Sequence, residues 1–83
     1  MKRISTAGNT IVPAVRALEQ LGFTVRVVQS PEAQVYASRG EEEYFAQDPE
    51  TVLGLIKLVE VRSWDWGASE AELEDVMQRH PLL

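Results

Sequence analysis

An α+β fold is predicted for this chain: a three-stranded antiparallel meander with helices packed on one face, in the order α-β-β-β-α-α. Three observations carry that expectation. Apolar residues recur at helical spacing near both ends of the chain and at strand spacing between them. Ser30-Pro31-Glu32-Ala33 and Ser38-Arg39-Gly40-Glu41 have turn composition and divide the strand region in three. Asp48-Pro49-Glu50-Thr51 and Ser69-Glu70-Ala71-Glu72 are strong helix starts that place two helices after the sheet.

The first helix is expected from Thr10 to Leu21. Asn9 or Thr10 can cap it, Pro13 sits in the first turn, and Gly22 follows as a stop. Ile11, Ala14, Val15, Leu18 and Leu21 form one apolar stripe on it. Strands follow over residues 23–29, 34–38 and 42–47. Phe23, Val25 and Val27 share one face of the first, and Val35 and Ala37 stand opposite Tyr36 on the second. On the third strand Phe45 is expected inside and Tyr44 outside, where a phenol is easily solvated. The next helix runs to about Arg62 and is apolar nearly all round, which calls for cover on a second side. Gly54 within it costs about 1 kcal/mol relative to Ala, which suggests close approach of a neighbouring backbone. The last helix, with Leu73, Val76 and Met77 on one face, ends before Pro81 and is the natural second cover.

Eighty-three residues read as one small domain, 1–83. Such a chain buries only about 60–65% of its unfolded surface, so its stability is modest unless an oligomer adds burial. The absence of cysteine excludes disulfides, thiolate nucleophiles and Cys-based zinc sites. The basic start has no apolar run behind it, unlike a signal peptide, and no segment approaches the roughly 20 apolar residues that cross a bilayer. The default location is the cytoplasm, and no membrane partner is expected.

Charge is divided along the chain. The first 40 residues carry five basic and two acidic side chains, and residues 41–83 carry three and eleven. The acidic half repels phosphates, so no nucleic-acid partner is expected. Helix, meander, helix is also the order of the double-stranded RNA-binding domain, which grips phosphates near the start of the helix after the sheet. Here that start is Asp48-Pro49-Glu50, preceded by Glu41-Glu42-Glu43, and the sign is wrong for that contact. The shared order is a coincidence of simple topology.

No residue set points to catalysis, a metal or a cofactor. The three consecutive glutamates point to alternating faces and do not converge on a cation. His80 is the one histidine, at a helix end that favours its cationic form. Ala7-Gly8-Asn9-Thr10 leads into a helix start without P-loop spacing, so capping explains it better than anion binding. Two groups stand out as interface candidates. Arg26, Val28, Tyr36 and Tyr44, together with Thr24, can share the outer face of the sheet as a mixed aromatic, aliphatic and cationic patch. Trp64-Asp65-Trp66 can plug the core, form an interface hot spot or frame a ligand.

The first expectation is a small acidic, non-catalytic protein-interaction module. Its partner is a second copy, met through the sheet face or the apolar face of residues 52–61, or else another protein. One version is an acidic inhibitor or immunity-type protein that blocks a basic partner through residues 41–50 and 65–75. The second, from another class, is a small-molecule-binding domain or minor enzyme with Asp65 pointing into a pocket between Trp64 and Trp66.

Overall fold

The computed structural model describes residues 1–82 and contains the elements in the expected order: α1 (Ile11–Gln20), β1 (Thr24–Val28), β2 (Gln34–Arg39), β3 (Glu42–Ala46), α2 (Pro49–Arg62) and α3 (Glu70–Arg79). The strands form one antiparallel sheet in the order β1-β2-β3. Helix α1 packs over β1, α2 packs over β2 and β3, and the two helices touch each other. Among the described residues, no helix is long and apolar enough to cross a membrane.

Local chemistry sets the ends of α1. Gly22 adopts φ +92°, the left-handed turn that a glycine tolerates best, and its N–H donates to the Glu19 carbonyl. The Phe23 N–H donates to the Leu18 carbonyl, completing a Schellman cap whose two apolar residues, Leu18 and Phe23, both enter the core. The helix stop therefore also delivers the chain into β1. At the other end Thr10 occupies the cap position without capping. Its hydroxyl donates instead to the Glu50 carboxylate at 2.6 Å, tying the start of α1 to the first turn of α2. The buried face of α1 is centred on Ala14 and Leu18, while Ile11 and Leu21 at its ends stay exposed.

The register Val25↔Ala37↔Tyr44 crosses the middle of the sheet, under the helices. Tyr44 is thus inside, 5% exposed, and Phe45 is outside, 56% exposed, the reverse of the expected orientation. The phenol can be buried because its hydroxyl reaches the rim and donates to the Glu42 carboxylate at 2.9 Å. The ring meanwhile packs edge-on against Phe23 with centroids 5.8 Å apart. A hydroxyl satisfied at the edge removes the desolvation cost that argued for Phe45 in this place.

Asp48 caps α2 as expected. Its carboxylate accepts the Thr51 N–H at 2.7 Å, and that bond holds the Asp48 pKa below its ordinary value. Val52 and Ile56 bury against the sheet, and Leu53, Leu55 and Val59 pack around them. Gly54 does not mark a close backbone approach: a Cβ there meets nothing within 4 Å. Gly54→Ala is therefore expected to stabilise the chain by about 1 kcal/mol, through helix propensity alone. A urea unfolding curve checks this; a loss of stability would mean that the glycine serves some contact of the helix.

Helix α3 does not cover α2. None of its residues is buried, and Leu73 and Met77 are 55% and 42% exposed. Its capping box forms as the sequence indicates, with the Ser69 hydroxyl accepting the Glu72 N–H and the Glu72 carboxylate accepting the Ser69 N–H. The helix is well started, yet it lies away from the core.

Candidate functional site

The segment that carries α3 away from the core begins where α2 ends, at Ser63, a non-glycine residue with φ +63°. Arg62 holds that bend. Its guanidinium donates to the Trp66 and Gly67 carbonyls, each at 3.0 Å, and forms a two-pronged pair with the Glu72 carboxylate at 2.8 and 2.9 Å. The fork geometry matches a carboxylate and leaves donors over for the loop. This one side chain thus links the end of α2, the tryptophan loop and α3.

The Arg62 hydrogen bonds, then the Ser69 N–H, lower the Glu72 pKa from 4.5 to about 2. A carboxylate whose folded-state pKa is depressed contributes its full stabilisation above pH 4.5 and loses it as pH falls from there through about 2. The Glu72 side-chain carboxyl followed by NMR is expected to titrate near 2, with the α3 amides losing protection over the same range. An ordinary carboxylate midpoint would mean that Arg62 does not hold α3 in solution.

Beside this clamp the apolar side chains stay open. Leu73, Val76 and Met77 form a stripe along α3, and together with Trp66, Ala68 and Arg62 they line a cleft of about 600 Å³. Leu58 and Val61 on α2 are exposed as well. With residues 1–9 exposed as well, the chain as a whole is less compact than its length allows. The Cα radius of gyration is 15.1 Å, whereas a compact chain of 83 residues has about 12 Å. The accessible surface is 6878 Å², against about 5,000 Å² for a compact monomer of this mass, an excess of about 1,900 Å².

The tryptophans take different roles. Trp64 stacks on Tyr44 with ring centroids 5.5 Å apart, so one indole face extends the core while the residue stays 58% exposed. Trp66 is 52% exposed and stands between two clefts, the one above and a smaller one bounded also by Phe45, Tyr44 and Trp64. Asp65 is exposed and lines neither of them. It lies close enough to Arg62 to reinforce that residue's positive charge.

On the outer face of the sheet Arg26, Tyr36 and Phe45 stand opposite one another on the three strands. The Arg26 guanidinium lies 4.3 Å from the Tyr36 ring centre, and that ring stacks on Phe45 at 5.4 Å. Val28 is half-buried at the end of β1. Tyr44 is not part of this face; Phe45 takes its place. Among the described residues, no group of three His, Asp or Glu side chains comes together to hold a metal ion.

Comparison of the chain with protein-family models, curated proteins and solved structures gives no match in any of the three. The functional reading therefore rests on the site itself. Sequence reasoning missed Arg62, which showed only as a basic residue near a helix end. Its partner Glu72 is ten positions away, across a break between helices, where no periodicity connects them.

Proposed function

We propose that this chain is a non-catalytic protein-interaction module whose partner is a second copy of itself, docked on the uncovered surface of α3 and the end of α2. The observation that carries the reading is an amphipathic helix with no buried residue, whose apolar stripe Leu73, Val76 and Met77 lines an open cleft rimmed by charged side chains. Two further observations support it. Leu58, Val61, Trp66, Leu73 and Met77 are all exposed at this end of the molecule and give a contact an apolar centre. Charge along α3 also suits a symmetric antiparallel pair. Glu70, Glu72 and Glu74 occupy its first half and Arg79, which pairs with Asp75 of its own helix, its last turn, so in an antiparallel pair opposite ends and opposite helix dipoles meet. The exposed stripe is apolar, which favours a second copy over a basic partner steered by acidic clusters. The cysteine-free chain is compatible with a cytoplasmic location for such a module.

Light scattering after size exclusion tests this. The expected mass is twice the 9.3 kDa of one chain, at both low and high salt. A monomer at both would overturn the proposal. A dimer that separates as salt rises would place the contact on charged groups and overturn the apolar seam.

A further inference from the structure

A second cleft, which shares only Trp66 with the first, carries an inference beyond self-association. Between β3, α2 and the tryptophan loop lies a hollow of about 210 Å³ bounded by Glu43, Tyr44, Phe45, Trp64 and Trp66 and by three aliphatic side chains of α2. Tyr44 already covers one face of Trp64, and Tyr36 stacks on Phe45, so both rings are held in place and still stand well exposed. Exposed aromatic rings fixed by other rings form a preorganised wall.

We propose that this cleft binds an organic cation, an ammonium or guanidinium group carried by a small molecule or by a side chain. Aromatic faces carry negative quadrupole potential and attract such cations within about 6 Å of the ring centre. Glu43 supplies a formal negative charge in the same wall, and no lysine or arginine lines it. A neutral apolar occupant would crowd water from the Glu43 carboxylate without replacing it, whereas a cation compensates that carboxylate as it enters. An anion meets a chain of net charge −5. The size of the hollow suits a head group, not a nucleotide or an extended peptide.

The test follows tryptophan fluorescence while tetramethylammonium chloride or N-acetyl-arginine amide is added, with sodium chloride matching the ionic strength. The uncharged control of similar shape is tert-butanol. The expected result is saturable binding of at least one cation in the millimolar range, with no saturable response to tert-butanol. Glu43→Gln, on an exposed position, is expected to weaken binding roughly fivefold. Trp64→Ala is expected to abolish it, with circular dichroism confirming that the variant is folded. Saturation by tetramethylammonium alone identifies a free quaternary ammonium as the ligand type, and saturation by the arginine amide alone identifies a side chain. Equal binding of tert-butanol, a Glu43→Gln variant that binds as well as the wild type, or no saturable response to either cation would overturn the proposal. The solution mass of the same samples shows separately whether self-association stands.

Discussion

The double substitution Leu73→Asp, Met77→Asp is expected to give a folded monomer. Both side chains are more than 40% exposed and neither joins the buried cluster of Leu18, Phe23, Val35, Ala37, Tyr44, Val52 and Ile56. Surface changes away from the core usually move a monomer's stability by less than about 0.5 kcal/mol, so circular dichroism should show a folded chain, with the urea midpoint falling only by what the lost dimer contact contributed. In a symmetric dimer through α3, by contrast, four carboxylates would be desolvated at the seam without partners. Each such group costs at least 1–3 kcal/mol, and every 1.4 kcal/mol weakens association tenfold, so dissociation should strengthen by more than about 100-fold. Light scattering reads this directly. If the mass stays doubled, α3 is not the seam, and the ladder of Arg26, Tyr36 and Phe45 on the outer sheet face becomes the surface to alter.

Phe23→Ala is expected to be the most damaging single change to the fold, at about 4 kcal/mol. Phe23 is buried where the cap of α1 turns into the sheet, edge-on to Tyr44 and with the Arg39 guanidinium 4.2 Å from its ring centre. Removing the ring opens a cavity against Leu18 and releases Arg39, which also donates to the Leu21 carbonyl at 2.7 Å. A chain of 83 residues has a total stability of about 4–12 kcal/mol, so this one change removes between about a third and all of it. Phe23→Leu keeps most of the buried volume and should cost about 1–2 kcal/mol. Urea unfolding of the two variants checks the ranking; a Phe23→Ala cost below about 1.5 kcal/mol would show that the site collapses around the gap.

Local signals made the elements legible in the sequence. Gly22 stopped a helix, Asp48-Pro49 and Ser69 with Glu72 started two others, and each did so through bonds between near neighbours. What local pattern could not supply was the choice between adjacent aromatics on β3. A shift of one residue exchanges the faces of a strand, and the outcome depended on Glu42 standing where the Tyr44 hydroxyl emerges. The placement of α3 was hidden for a similar reason. An apolar stripe indicates that a helix needs cover, without indicating that the cover lies in its own chain. Of the candidate site residues, Arg26 and Tyr36 do stand together and Trp64 and Trp66 do share a cleft, whereas Tyr44 joins the core side of the sheet and Asp65 faces solvent.

The Arg62 clamp has a consequence for how the molecule comes apart. Among the described residues every buried side chain belongs to residues 14–56, while α3 is attached through one guanidinium and a short loop. Its backbone amides can therefore exchange with solvent by detaching from Arg62 and fraying, without disturbing the sheet. The chain contains two cooperative levels, a core that opens only in global unfolding and an arm that opens on its own. A docked copy would close the gap between those levels, and amide protection along residues 70–79 would then depend on protein concentration.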